Sequence, residues 1–283
     1  MIKIAVLITS YNRINKTLKC LKDLFCISLP SGFSLDVYLV DDGSSDGTSE
    51  VVKNQFPNVN IIKGNGSLFW NGGMRLAWET ASKTKDFDFY LWLNDDTFLD
   101  EFAIEELFDC YFSEKNEKNS ESIIVGACRE SNNSEIFSYG GRNENGPVIP
   151  NGKQQECKYI NGNVVLVSRE VFKGLGNLSP EYTHSIGDFD YGLRADGLGI
   201  KCYTTTRFVA VCPQNKSSAW SDPSTPLRDR IKLMYSPKGL NLKEYIIFRK
   251  KFWGWRWTIF AIKAFLKVIS PTLHKNIRSK YYF

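Results

Sequence analysis

Three acidic clusters are the stretches of this sequence whose residue types could do chemistry. The first is VDDGSSDGT at 40–48. Its carboxylates can accept hydrogen bonds from a base N–H or a ribose hydroxyl, and its Asp, Ser and Gly are equally the residues of a capped turn. The second is LNDDT at 93–97, with Asp95 and Asp96 side by side. Adjacent carboxylates repel each other in a dry site, and a hard divalent cation, Mg2+ or Mn2+, offsets that repulsion and could bridge a diphosphate. The plainer use of the same residues is a helix N-cap from Asp96, Thr97 or Asp100. The third is HSIGDFDYGLRADG at 184–197, which sets Asp188 and Asp190 at the start of a helix. Two-residue spacing turns them to different sides. One can then face a ligand as a general base while the other pairs with Arg194, four residues after Asp190. Charge compensation of a helix N-terminus is the simpler reading of that pair.

These clusters need a scaffold that ends several strands at one rim. Residues 2–8 are a near-continuous apolar run, as suits a parallel strand covered on both faces. Helix spacing follows over 16–27, a strand over 35–42, a capped helix through Phe56 and a strand over 59–64. A Gly- and Asn-rich loop over 65–73, a helix over 74–84 and a strand over 87–96 complete the first half. The alternation predicts an α/β fold, a mostly parallel sheet with helices on both faces. Ligands bind off the carboxyl ends of such strands, and the polar stretches 9–13, 41–46 and 94–97 all fall there. The second half predicts strands over 123–128 and 201–212, loops or hairpins over 130–153 and a strand entering a helix over 159–172. A helix over 187–198 and a mobile loop over 213–226 follow.

The chain of 283 residues is 42% hydrophobic and 24% charged, which excludes a disordered, collagen-like or multi-span membrane protein. Charge is unevenly placed. Residues 228–283 hold fourteen Lys and Arg against two Asp and Glu, a net of +12, and residues 1–227 carry −7. Seven scattered cysteines, with no CxxC and no histidine at zinc spacing, suit a reducing cytoplasm. The apolar run Ile4 to Ile8 is too short for a signal peptide or a span. In the tail, 249–269, Arg256, Lys263 and Lys267 share one narrow helical arc. Most of the rest is apolar, with Phe252, Trp253, Trp255, Trp257, Phe260 and Phe265. Three charges argue against a membrane span, while Trp with Lys and Arg suits a peripheral seat at the membrane interface. Packing of those rings on protein is the alternative. No recognition motif accompanies the charge, so nucleic acid is not an expected partner. Of the two histidines, His184 and His274, the first lies close to the Asp188 segment and could touch substrate, the alternative being a loop histidine in water.

Five motifs in order, TSYNR (9–13), VDDGSSDGT (40–48), GNGSLFWNGGMRLA (64–77), LNDDT (93–97) and GDFDYGLRADG (187–197), resemble family 2 glycosyltransferases of the GT-A fold. Bacterial cell-surface polysaccharide enzymes are among that family. The resemblance covers about 1–215. It implies a nucleotide-sugar half (about 1–100), an acceptor half (about 101–215), and then 216–283 as loop and basic, aromatic helical extension. It implies an inverting transfer from a nucleotide-diphosphate sugar, a UDP- or dTDP-sugar, to a hydroxyl of a glycan acceptor. The tail adds a lipid-linked acceptor and a seat at the inner face of the membrane; an oligomer is compatible with all of this.

By the same resemblance Thr9, Tyr11 and Arg13 line the nucleotide pocket. Asp42 contacts the base with Asp41 beside it. Asn65 and the 70–75 loop, with Trp70, close over base and diphosphate. Arg75, or a cation from 213–230, steadies the departing diphosphate. Asn94-Asp95-Asp96 takes the place of the family's DxD, with Asp95 at the ribose or sugar and Asp96 on the Mg2+ or Mn2+. Asp188 is the general base. The sequence departs from the pattern at Asn94, at Gly187 (a Glu in relatives) and at 209–214, VAVCPQ, where relatives often carry a histidine. These departures loosen the expected metal site and favour one rival, an inert module that binds nucleotide sugars. A sugar nucleotidyltransferase of related fold calls for a Gly-rich phosphate loop after the first strand, and TSYNR has no glycine.

Overall fold

The structure, a computed structural model, describes residues 1–215 and 219–272. The chain divides into two compact units, one of Met1–Pro180 with Gly187–Gln214, the other of Glu181–Ile186 with Asn215–Phe283. In the first unit the order is β1 (Ile2–Ser10), α1 (Ile14–Cys26), β2 (Phe33–Asp41), α2 (Thr48–Gln55), β3 (Asn60–Lys63), α3 (Phe69–Thr84), β4 (Phe89–Leu93) and β5 (Phe98–Leu99). There follow α4 (Ala103–Lys118), β6 (Ser122–Arg129), β7 (Phe137–Tyr139), β8 (Arg142–Asn143), β9 (Gly146–Pro147) and β10 (Glu156–Cys157). The unit closes with β11 (Val164–Ser168), α5 (Arg169–Leu175), α6 (Gly187–Gly197) and β12 (Lys201–Val211).

The main sheet runs β10-β12-β6-β11-β4-β1-β2-β3, with β5 on β12 and β7 on β6. The block β4-β1-β2-β3 is parallel, as is β6 with β12, and antiparallel β11 joins the two blocks. This is the expected α/β sheet flanked by helices. Alternation along β1 explains why its sequence is apolar throughout. Ile4, Val6 and Ile8 enter one core with Leu21 and Leu24 of α1 and Leu107 of α4. Ala5 and Leu7 enter the other with Met74, Ala77 and Trp78 of α3. Full burial of each such aliphatic side chain contributes roughly 1.5–3 kcal/mol.

The antiparallel entry of β11 matters for function. It pairs Val164 with Leu93, so the residues just before β11 lie beside the carboxyl end of β4. The Asn94 N–H then donates to the Asn163 carbonyl at 3.0 Å.

Two expectations need correction. Residues 70–75 are not a loop, because α3 starts at Phe69. The start is supplied from just past the end of β2: Asp42 accepts from the backbone N–H of Leu68 and of Phe69, each at 2.9 Å, as a carboxylate at a helix N-terminus. The tail is not one helix over 249–269. It is α8 (Leu242–Trp253) and α9 (Trp257–Ile269), interrupted at Gly254–Arg256.

The second unit holds α7 (Leu227–Tyr235), α8 and α9 around Met234, Leu242, Ala264 and Val268. Glu244 of α8 takes the N–H of Thr183 at 3.1 Å and its hydroxyl at 2.8 Å, which fastens the 181–186 segment into this unit. Of the loop expected over 213–226, 216–218 lie outside the described residues, as does His274, and Ala219–Ser221 form a short 3-10 turn. Among the described residues no helix is long and apolar enough to cross a membrane.

Candidate active site

The carboxyl ends of β1 and β2 are laced together by short polar side chains. Asn12 accepts from the Ser45 N–H at 2.8 Å, and its own N–H donates to the Ser44 hydroxyl at 2.9 Å. Asp46 accepts from the N–H of Ile14 at 3.0 Å and of Thr48 at 3.1 Å, so one carboxylate caps the starts of both α1 and α2. Asp41 accepts from the Ser44 N–H at 2.9 Å and from the Ser49 hydroxyl. Asp42 accepts from Gly66 N–H at 2.8 Å as well as from Leu68 and Phe69. Both oxygens of this buried carboxylate are therefore engaged by backbone, and its geometry is that of a loop anchor.

In the first turn of α3, the Trp70 indole N–H donates to the Asn94 side-chain oxygen at 2.7 Å. The ring lies against Gly162, where an added β-carbon would come within 2.2 Å of it. The Gly162 N–H in turn donates to Asp188 at 3.1 Å. Asn94, Trp70, Gly162 and Asp188 thus form a continuous chain of contacts across the rim, although 94 residues of sequence separate its ends.

On the other side of Asn94, Asp95 and Asp96 share the Arg13 guanidinium, at 3.2 and 2.8 Å, and Lys16 stands 3.5 Å from Asp96. Burial pushes the Asp95 carboxyl up to about 6; Arg13 opposes the rise and Asp96 adds to it.

Asp188 occupies the first turn of α6. Its oxygens accept from the N–H of Gly162 and, at 2.8 Å, of Phe189. Burial pushes this carboxyl up to about 6, against the pull of those backbone donors. Among the described residues no cation pairs with it. Asp190 points the other way and is buried on Arg194 at 2.7 Å. Arg194 also donates to the carbonyls of Leu175 and Asn177, which locks the back of α6. The expected division of labour between two acids two residues apart is present as geometry. Gly187 precedes them for a steric reason: a β-carbon there would lie 1.8 Å from the Asn71 side-chain oxygen. Asn71 is itself buried and donates to the Ser179 carbonyl at 2.9 Å.

The structure therefore brings Arg13, Trp70, Asn94, Asp95, Asp96 and Asp188 together, with Asp41 and Asp42 holding the loops beside them. Thr9 is buried at the end of β1, Tyr11 is exposed just beyond it, and exposed Asn65 accepts from the Ser67 N–H at 2.9 Å. Arg75 is directed elsewhere, its Nε on the Leu178 carbonyl at 2.9 Å. His184 belongs to the 181–186 segment of the second unit.

Sequence reasoning overlooked Gly162 and Asn163, which it read only as strand. The Asn163 amide nitrogen contacts the Thr97 hydroxyl at 3.2 Å and the Cys212 sulfur at 3.3 Å. The signal available was Asn161-Gly162-Asn163, turn-forming polar residues interrupting an apolar run.

No group of three or more His, Cys, Asp or Glu among the described residues could hold an ion. Asn94 is engaged by Trp70 and both carboxylates by Arg13, and Asp96, 13% exposed against 5% for Asp95, is the more open of the two to a change of partner. Such a set does not cage an ion by itself. It fits a hard cation that takes one protein carboxylate and completes its shell from phosphate oxygens and water.

With the geometry in place, comparison with known proteins adds three findings. A family model described as glycosyl transferase family 2 matches residues 5–175. The match takes in the rim through Asn163 and stops before α6. Among solved structures, the fold is similar to TarS of S. aureus in complex with UDP-GlcNAc, with TM-score 0.58 and 14% identity over 95% of this chain and 82% of that one. It is also similar to the mannosyltransferase PcManGT of Pyrobaculum calidifontis in complex with GDP-Man and Mn2+, with TM-score 0.55 and 12% identity over 98% and 78%. At such identities the likeness is one of fold. No curated protein sequence matches the chain.

Proposed function

This chain belongs to glycosyl transferase family 2, and we propose that it is an inverting transferase moving a sugar from a nucleotide-diphosphate donor to a hydroxyl of a glycan. One observation supports this above the others: a half-buried carboxylate with no cation partner among the described residues, Asp188, is linked through Gly162, Trp70 and Asn94 to the Asp95-Asp96 pair at the end of β4. A base for the acceptor hydroxyl and, on the same rim, an acidic pair that can hold a cation against a diphosphate are what glycosyl transfer from a nucleotide-diphosphate donor requires.

In this reading Asp188 takes the proton of the acceptor hydroxyl. That oxygen bonds to the anomeric carbon from the face opposite the nucleotide, the bond from that carbon to the diphosphate oxygen breaks, and the diphosphate leaves with the electron pair. Thr9, Tyr11, Arg13 and Asn65 line the nucleotide side, and Asp95 serves the ribose or sugar. Asp41 and Asp42 act by holding the loops that meet the base. Asp96 would hold Mg2+ or Mn2+, which would supply positive charge against the departing diphosphate. Nucleotide sugars in TarS and PcManGT, as UDP-GlcNAc and GDP-Man, support the donor class, and we assign a UDP- or dTDP-sugar. Residues 1–215 carry the chemistry, donor half first. Residues 216–283 place the enzyme peripherally at the cytoplasmic face of the membrane, beside a lipid-linked acceptor of cell-surface polysaccharide synthesis.

The rival reading of an inert module drew on Asn94 and Gly187. Asn94 is the acceptor for Trp70, and Gly187 makes room for Asn71, so each departure has a packing reason independent of turnover. The deciding experiment is Asp188→Asn. Transfer is expected to fall about 10²–10⁴-fold while calorimetric nucleotide affinity survives; full turnover in that variant would remove Asp188 from the role. A thermal-shift screen of UDP-, dTDP- and GDP-sugars with each cation identifies the donor, because a ligand of the native state raises the melting point.

A further inference from the structure

Exposed large apolar side chains are scattered in the first unit, but in the second they form rows. In α9 the buried positions are Ala261, Ala264 and Val268. Ile259, Ile262, Leu266 and Ile269 recur at spacings of three and four on another side and stand 42%, 60%, 46% and 59% exposed. Phe265 borders this row, and Trp255, 74% exposed, stands just ahead of it. A helix that packs its small residues inward and leaves its large aliphatics in water has its hydrophobic face turned outward. Lys263 and Lys267 follow at four-residue spacing along one edge of that face, Lys267 over the Trp220 ring, and Arg256 directly precedes the helix.

We infer that the outer face of α9 docks on an anionic lipid bilayer, with the helix lying in the plane of the surface. This deepens, and rests on, the peripheral placement proposed above. Charge selects the occupant. Residues 228–283 carry a net of +12, so a second copy would set like charge against like. An anionic bilayer offers opposite charge at its headgroups and hydrocarbon directly beneath, where long cations snorkel and Trp sits at the boundary. The thirteen residues of α9 span roughly 20 Å, too short to cross and sufficient to lie flat. The residues that meet lipid are not all those the sequence suggested. Phe252, Trp253 and Phe260 pack on one another within the hairpin, and the Arg249 guanidinium lies 4.4 Å from the Trp253 ring and 4.2 Å from the Phe260 ring.

The test uses the full chain with vesicles of phosphatidylcholine alone and with phosphatidylglycerol added. Cosedimentation is expected only with the anionic vesicles, and it should weaken as salt is raised. Ile262→Ser with Leu266→Ser should weaken binding about tenfold or more without lowering the melting point, since both side chains are exposed. Arg256→Gln with Lys263→Gln should weaken it about fivefold per charge removed. Vesicles should shift tryptophan emission to the blue, and Trp255→Phe should remove that shift. Failure of the chain to sediment with anionic vesicles would overturn the inference, as would binding indifferent to the Ile262 and Leu266 changes. A dimer in sedimentation velocity that those changes dissociate would overturn it in favour of a second copy. Transfer to a water-soluble acceptor needs no lipid, so its survival or loss reports separately on the chemistry.

Discussion

A carboxylate acting as a base must be ionised when its acceptor arrives. Burial lifts Asp188 to about 6, so its ionised fraction falls as pH drops through that value. The rate of transfer is expected to fall about tenfold per unit below pH 6, a limb that initial rates between pH 4.5 and 8 would reveal or exclude. The Arg13 pair invites a second measurement. Arg13→Met leaves Asp95 and Asp96 side by side with only Lys16, 3.5 Å from Asp96, still opposite them among the described residues. The half-exposed setting of Arg13 limits the cost to about 1–2 kcal/mol. Added Mn2+ should then raise the melting point of this variant more than that of the parent; equal shifts would detach the cation from this pair. At this scale Asp95, Asp96 and Asp188 were legible because acids at strand ends and helix starts are conspicuous. Asn71 and Asn163 were not, because a buried amide matters only through the partner that tertiary register brings to it.

Elements carry the next constraints. The α3 helix begins at Phe69 because Asp42, just past the end of β2, accepts its first N–H groups. Local sequence reasoning starts that helix five residues late, since Gly72 and Gly73 argue for a loop and the cap is remote in sequence. Replacing Asp42 by Asn puts an N–H2 where an acceptor is needed. It should cost about 2 kcal/mol in denaturant melts, and nucleotide affinity should fall as Trp70 loses its footing. The α3–α6 contact predicts a coupled pair. Gly187→Ala drives a methyl into the Asn71 amide and should cost about 1–3 kcal/mol. Combined with Asn71→Ala, the loss should be smaller than the sum of the two singles, a coupling of about 1 kcal/mol or more in a double-mutant cycle. Strands and helices of the parallel half were readable from period alone. The interruption at Gly254–Arg256 was not, because the apolar residues on both sides of it suit a single continuous helix equally well.

For the molecule as a whole, the composition made two statements that the structure lets one measure. All seven cysteines are free, and Cys26 is the exposed one. Burial pushes the thiols of Cys110 and Cys202 up to about 12 and that of Cys212 up to about 11. A native thiol titration should therefore give one fast-reacting group per chain and the denatured protein seven. Rapid release of several in the native state would contradict the burial described. The division into two units was partly legible in the swing from −7 to +12, whereas the return of 181–186 to the second unit had no sequence mark. That swing has a kinetic consequence. A negatively charged plane repels the −7 stretch and attracts the +12 stretch, so added salt relieves a repulsion and weakens an attraction at once. Ionic strength then governs how often a collision begins with the productive portion of the chain, as well as how long it lasts.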